Sequence, residues 1–199
     1  NARYVFITLG TNVVYRHKKL DAVVCNCHRV PQQAFVEERI PLHECTESLL
    51  RTVKSLLEIN PDIRFIFTVS PYRYAEYGYH GSQLSKSVLL LAVESVCESF
   101  PDVCHYFPSY EILLDELRDY RFYAEDMHHP SAQAIDYIWS RLAQCAFSTQ
   151  TMQYLKEYEP IRKGLLHRPL QANNEAEKAR RADLECRAKT IRQKYGISL

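Results

Sequence analysis

Glycine is scarce in this sequence, with only five residues among 199. The strained Gly-x-Ser-x-Gly elbow that carries the nucleophile of many hydrolases is absent, and so few glycines leave little room for one. Long hydrophobic runs are missing too, because the longest, residues 88–93, is far shorter than the roughly 18 residues that a membrane span requires. The sequence therefore predicts neither a nucleophile elbow nor a membrane-spanning helix.

An excess of charge of one sign is also absent, since the formal net charge is +1 at pH 7. This balance gives no general reason to expect a nucleic acid or an acidic substrate. The hydrophobic fraction of 46% and the charged fraction of 25% are typical of a soluble globular domain. A chain of this length buries roughly 70% of its unfolded surface, so it needs no disulfide or metal to fold.

The seven cysteines are odd in number and follow no pattern. Without a signal peptide, such a set indicates a reducing compartment, and we interpret the protein as cytoplasmic. Cys25, Cys27 and His28 stand close together, but the second pair of ligands that a structural zinc site needs is missing. We therefore expect no metal and no cofactor, and a packing or active-site-loop role for this segment.

Strands and helices alternate along the first three quarters of the chain. Runs of β-branched and aromatic residues predict strands at 3–9, 63–69 and 103–107, with a hairpin at 13–16 and 22–26. Helical spacing of apolar residues predicts helices at 42–59, 82–100 and about 131–147, with a polar loop before the first and Ser82 as the cap of the second. Ser85 and Lys86, near the start of the second helix, are explained by helix capping and solvation, and a Ser–Lys catalytic pair is the alternative. This order is typical of an α/β fold with a parallel sheet.

The composition changes after residue 147. Residues 148–199 hold 11 Lys and Arg against 6 Asp and Glu, and they predict two helices, the first bent or broken near Pro160 and the second at about 174–195. We interpret residues 3–147 as the α/β domain and 148–199 as a basic helical extension. Nucleic-acid binding through its arginines is the alternative, but acidic residues are interleaved with them and no recognition motif occurs.

The segment from Asp126 to Ser131 carries the clearest chemistry. Pro130 disfavours a helical conformation for His129, so His129 is predicted at the boundary between a loop and a helix. An aspartate three residues before such a histidine can orient the imidazole through Nδ1–H and leave Nε2 free as a general base. The alternative is that Asp126 and His129 are surface residues at the start of a helix and have no catalytic role.

Two loops at the carboxyl ends of the predicted strands offer binding groups. Gly10-Thr11-Asn12 ends the first strand, where the backbone N–H of Gly10 and the amide of Asn12 are candidate donors to an oxyanion, or simply parts of a turn. Tyrosines and Arg73 follow the second strand, where they form either an aromatic groove for sugars or acyl chains or a lid without a ligand. The tyrosines are Tyr72, Tyr74, Tyr77 and Tyr79.

Together, these motifs resemble the SGNH (GDSL-type) hydrolases and, more closely, the GSCFA family within that superfamily. The likeness covers most of residues 4–170. Its blocks are ITLGT followed by VYRH, NCHR, FTVSPYR, QLSKSVLLLA, FPSYEILLDELRDYRFYAEDMHHPS and a late HRP. GSCFA-like chains generally have alanine where Asn12 stands, so its role as a donor derives from the wider superfamily.

The resemblance implies a three-layer α/β fold of the SGNH-hydrolase or flavodoxin-like type and a catalytic pair formed by Asp126 and His129. The Gly-Ser-Cys-Phe-Ala block whose serine would be the nucleophile is absent, so the resemblance implies a nucleophile upstream of Asn1. The predicted residues of the oxyanion and substrate-binding site are Gly10, Thr11, Asn12, His28, Tyr72 and Arg73.

The expected function is hydrolysis or acyl transfer of a small-molecule ester, such as that of a carbohydrate. A non-catalytic binding or scaffold module that keeps the fold is the alternative. If a first strand is supplied upstream, residues 3–9 form an exposed sheet edge in the present chain. Self-association through that edge or through the C-terminal helix is the remaining expectation about partners, and neither a membrane nor a nucleic acid is expected.

Overall fold

The computed structural model describes residues 2–24, 29–167 and 175–197. The chain divides into two compact units, Asn1–Ile138 and Trp139–Leu199. All predicted site residues that are described lie in the first unit.

A three-stranded parallel sheet forms the centre of the first unit. Its strands are β1 (Tyr4–Leu9), β5 (Arg64–Val69) and β6 (Cys104–Tyr106), in the order β1-β5-β6. Both pairings are parallel, with Phe6 opposite Ile66 and Phe67 opposite Tyr106. Helices flank this sheet, so the predicted α/β class is confirmed.

The core lies on one face of the sheet, under two long helices. These are α1 (Leu42–Ile59) and α2 (Gly78–Ser99). Phe65 and Phe67 of β5 are fully buried against them, together with residues of both helices such as Val53 and Val96. Successive side chains of a strand point to opposite faces, so the residues of β5 on either side of these phenylalanines point to the other face of the sheet.

Strand β1 lies at the edge of this sheet, as expected. Val5, Ile7 and Leu9 are partly buried against the core. Tyr4 and Phe6 point to the opposite face and are 60% and 49% exposed. Aromatic side chains on an edge strand are consistent with self-association, which stays a prediction.

The predicted hairpin is present, but it belongs to a separate sheet with a strand that the sequence did not reveal. The sheet has the antiparallel order β3-β2-β4, with β2 at Val13–His17, β3 at Ala22–Val24 and β4 at Phe35–Arg39. The interpretation of 35–39 as part of a polar loop was therefore wrong.

The helices depart from the prediction in two places. Helix α2 begins at Gly78, four residues before the predicted cap at Ser82. A helical segment unseen in the sequence follows β6, with one α-helical turn, α3 (Ser109–Glu111), running into a π-helix at Ile112–Leu117. The remaining elements are three single 3₁₀ turns and helix α4 (Ala132–Ala146), which begins in the first unit. The 3₁₀ turns are at Gln32–Ala34, Ala75–Tyr77 and Tyr120–Phe122.

The second unit contains α5 (Thr149–Leu166) and α6 (Glu175–Lys194). They are antiparallel, because Lys194 pairs with Glu157 at one end while Arg180 reaches the carbonyl of Gly164 at the other. Pro160 lies inside an uninterrupted α5, so the helix is not broken there. No helix of the described segments has both the length and the apolar character needed to cross a membrane.

Candidate active site

A tight turn between Tyr123 and Pro130 presents the Asp-x-x-His motif. Tyr123 and Pro130 form an antiparallel bridge, and Ala124 N–H donates to the carbonyl of His129 at 2.8 Å. Inside the turn, Asp126 Oδ1 accepts the backbone N–H groups of both His128 and His129 at 2.9 Å. The carboxylate is therefore held by the turn itself.

The second carboxylate oxygen of Asp126 meets the imidazole of His129. Asp126 Oδ2 lies 2.5 Å from Nδ1 of His129, whose side chain is 62% exposed. Because an ionised carboxylate only accepts, Nδ1 donates and Nε2 is left as the ring's acceptor. The structure thus brings together the two predicted catalytic residues in the relation that general-base chemistry needs.

The pKa of Asp126 is lowered below its usual value of 3.8. The backbone hydrogen bonds from His129 and His128 are the largest causes, and the imidazole of His129 adds to them. All three stabilise the charged carboxylate. Asp126 is therefore ionised at every pH at which the imidazole acts as a base.

A row of aromatic rings leads away from His129. The rings of His129 and Tyr72 lie 4.5 Å apart, and Tyr72 meets Tyr74 edge-on at 4.7 Å. Tyr74 in turn stacks on Tyr77 at 5.6 Å. Tyr72 is therefore a direct neighbour of the imidazole, which fits its predicted place in a substrate groove.

Gly10 stands at the carboxyl end of β1, under the ring of Tyr74. A Cβ at this position would overlap with the hydroxyl of Tyr74. The absence of a side chain thus admits a tyrosine close to the strand end. The predicted donation from the Gly10 N–H to an oxyanion stays a prediction.

Thr11 and Asn12 are tied to Ser85 of α2. The hydroxyls of Thr11 and Ser85 lie 2.9 Å apart, and Asn12 N–H donates to Ser85 Oγ at 2.9 Å. Asn12 is buried, its Nδ2 donates to the carbonyl of Ile40 at 2.8 Å, and its Oδ1 has no hydrogen-bond partner among the described residues. These contacts anchor the loop, and a role for Asn12 as an oxyanion donor stays a prediction.

Lys86 is the residue of this region that differs most from the prediction. Its predicted solvation is wrong, because the side chain is 1% exposed. Nζ donates to the carbonyls of Gly10 and Ser70 at 2.6 and 2.7 Å, which joins the ends of β1 and β5. Burial lowers the pKa of Lys86 to about 8.

A signal for this burial was present in the helical pattern. Ser82, Ser85, Leu89 and Val93 are buried and lie on the face of α2 that carries Lys86. Their spacing of three, four and seven residues is that of a core-facing stripe. A lysine within such a stripe is predicted to be buried.

Arg73 lies against the Asp126–His129 turn, and its backbone N–H donates to the carbonyl of His128 at 3.1 Å. Its guanidinium lies over the ring of Tyr123, 3.8 Å from the centroid. His28, the remaining predicted site residue, lies outside the described residues, as do Cys25 and Cys27. The described segments contain no cluster of three or more metal-ligating side chains.

One comparison with known proteins identifies the family. The model of the GSCFA family matches residues 1–142, which include every predicted site residue. The chain belongs to the GSCFA family. No curated protein and no solved structure matches it.

The turn of this GSCFA chain contains one strained residue. Met127, between the two catalytic candidates, has a φ of 62° and is 39% exposed. Residues other than glycine, asparagine and aspartate seldom adopt this left-handed conformation, and β-branched residues tolerate it least. Backbone strain of this kind concentrates at functional sites.

The strain predicts a difference between two isomeric substitutions. We expect Met127→Ile to unfold with a free energy about 1 kcal/mol lower than Met127→Leu, because only isoleucine branches at Cβ. Urea denaturation of both variants measures the difference. Because the leucine and isoleucine side chains are isomers, the loss of hydrophobic burial relative to methionine is nearly the same in both and cancels. Equal unfolding free energies would contradict a left-handed Met127.

Proposed function

We propose that this GSCFA chain supplies the acid–base pair of an acyl-ester hydrolase, with His129 as the general base and Asp126 as the residue that orients it. The observation that carries the proposal is the 2.5 Å contact between Asp126 Oδ2 and His129 Nδ1. The exposure of the imidazole, 62%, supports it because a base must reach its substrate.

The chemistry follows from the tautomer of His129. Nε2 takes the proton of a serine hydroxyl while that oxygen bonds to the ester carbonyl carbon, and the imidazolium then returns the proton to the departing alcohol. Water, activated by the same nitrogen, releases the acid from the acyl-enzyme. In this proposal the serine is that of the family's Gly-Ser-Cys-Phe-Ala block, so a test of the activity requires the full-length protein.

The position of the pair in the fold also supports the proposal. Ligands of open α/β sheets bind beyond the carboxyl ends of the strands. Gly10 and Ser70 directly follow β1 and β5, and Tyr72, two residues after Ser70, contacts the ring of His129. The candidate base therefore lies at the edge of the sheet where a substrate is expected.

The test is covalent labelling of the full-length protein with a fluorophosphonate probe. We expect one serine to be labelled, at a rate about 10²–10⁴-fold lower in His129→Ala because the general base is lost. His43→Ala, which removes an exposed histidine on α1, is the matched control and should label as the wild type does.

Two results would reject the proposal. Absence of labelling in the wild-type protein would favour the non-catalytic scaffold. Equal labelling of His129→Ala and the wild type would show that the reactive serine does not use this base. In the second case, mass spectrometry of the labelled peptide identifies the serine that reacts.

A further inference from the structure

Arg73 is held as a preformed cation next to the candidate base. Its guanidinium carbon lies 3.8 Å from the ring centroid of Tyr123, 5.8 Å from that of Tyr120 and 6.0 Å from that of Tyr79. Aromatic faces attract a guanidinium and restrict its movement. The backbone N–H of the same residue donates to His128, so this cation and the catalytic turn are linked directly.

No protein carboxylate neutralises this cation. Within the described segments, no Asp or Glu oxygen lies within 4.0 Å of the Arg73 guanidinium. The nearby Asp119 caps a helical turn instead, accepting the N–H of Arg121 at 2.9 Å. Asp115 pairs with Arg118 at 3.7 Å. The charge of Arg73 is therefore available to a ligand.

Arg73 also lines a cleft of about 470 Å³. The same cleft is lined by four tyrosines and by Met127, which belongs to the catalytic turn. Its volume lies within the range of small-molecule sites. Tyr72 lines the cleft, and its ring lies 4.5 Å from that of His129, so the cleft adjoins the candidate base through this tyrosine.

We propose that Arg73 recognises a carboxylate on the substrate, so that the ester cleaved at this site is an anionic one whose remaining body packs on the tyrosines of the cleft. The inference rests on the proposed function, since it names the substrate class of the same site. A guanidinium binds a carboxylate through two parallel N–H···O bonds, which fixes orientation as well as position. Tyrosine faces supply contact area for an apolar or sugar-like body.

The first test compares two chromogenic esters of equal chain length, mono(4-nitrophenyl) adipate and 4-nitrophenyl hexanoate. In the full-length protein we expect kcat/KM for the adipate ester to be at least about tenfold higher than kcat/KM for the hexanoate ester. The reason is that a hydrogen bond between charged groups contributes enough free energy for such a ratio. In Arg73→Gln this ratio should fall to about one. Arg121→Gln, which removes an exposed arginine outside the cleft, should keep the wild-type ratio.

The second test measures binding without hydrolysis. Calorimetric titration with 4-methylbenzoate and with its neutral analogue 4-methylbenzamide should show at least about tenfold tighter binding of the benzoate by the wild type, and no such preference in Arg73→Gln. A higher salt concentration should weaken the binding of the benzoate and leave that of the benzamide unchanged. These probes report on Arg73 whether or not the protein is an esterase.

The two measurements separate the two hypotheses. A benzoate preference that depends on Arg73, with neither ester cleaved, would reject ester hydrolysis and keep the carboxylate site. Equal affinity for benzoate and benzamide in the wild type, or an unchanged preference in Arg73→Gln, would overturn the carboxylate site even if both esters are cleaved.

Discussion

Substitution Asp126→Asn should lower kcat for ester hydrolysis by the full-length protein about 10²–10⁴-fold while leaving its unfolding temperature nearly unchanged. The asparagine Oδ1 still accepts the two backbone N–H groups that shape the turn. Its Nδ2, however, is a donor at the place where the carboxylate oxygen accepted the hydrogen bond of His129 Nδ1–H. The imidazole is then driven to the tautomer with the proton on Nε2, which cannot act as a base.

Two further variants identify the cause of such a loss. Asp126→Ala also removes the acceptor of both N–H groups, so we expect it to lose the same activity and to unfold at a lower temperature than Asp126→Asn. Glu125→Gln makes the same chemical change one residue earlier, at an exposed carboxylate, and should retain wild-type kcat. Wild-type kcat in Asp126→Asn would show that orientation of His129 by the carboxylate is not needed.

The pH dependence of the reaction gives an independent check. Because its hydrogen bonds hold the pKa of Asp126 below 3.8, the carboxylate does not change charge over the working range of an esterase. An acid limb of the wild-type rate profile within that range therefore reports the titration of another group. The profile of Glu125→Gln should show the same limb.

The turn that carries Asp126 and His129 could be predicted because its contacts are local. Asp126 bonds only to groups two and three residues away. The spacing Asp-x-x-His-Pro, with proline at Pro130, therefore contains nearly all the information that forms the pair. The same holds for α1, whose predicted bounds agree with Leu42–Ile59.

Elements formed by distant or exposed contacts were not predicted. Strand β4 is mostly polar and partly exposed, and it forms because it pairs with β2, with Arg16 and Glu38 at 2.7 Å. The first turn of α2 contains Gly78 and Gly81, which are poor helix formers. Composition gives no sign of either element, since tertiary contacts determine both.

The partners of Lys86 show the same limit most clearly. The carbonyls that it joins are those of residues 76 and 16 positions away. Carbonyl oxygens are present at every residue, so no side-chain pattern marks them as partners. The prediction of a solvated Lys86 was wrong for this reason, and only the fold shows that the residue joins the ends of β1 and β5 beside the candidate active site.

This burial predicts an unusual dependence of stability on pH. The two carbonyls favour the charged ammonium and burial disfavours it, and burial prevails, since the pKa falls from 10.5 to about 8. Between these values the unfolded chain binds more protons at Lys86 than the folded chain does. The free energy of unfolding attributable to Lys86 therefore rises with pH across this window and is constant below it.

The test compares the wild type with Lys86→Met, which keeps the volume of the side chain and removes its titration. From pH 8 to 10.5 we expect the wild type to gain about 3 kcal/mol in free energy of unfolding relative to Lys86→Met, because a tenfold change in a proton-binding constant corresponds to about 1.36 kcal/mol. Urea denaturation at several pH values measures the difference, in which the titration of all other groups cancels. Lys54→Met, at an exposed lysine of α1, should show no such change. A flat difference for Lys86→Met would mean that the ammonium is as well solvated in the folded protein as in the unfolded chain, and the connection between the ends of β1 and β5 would then have to be made by other groups.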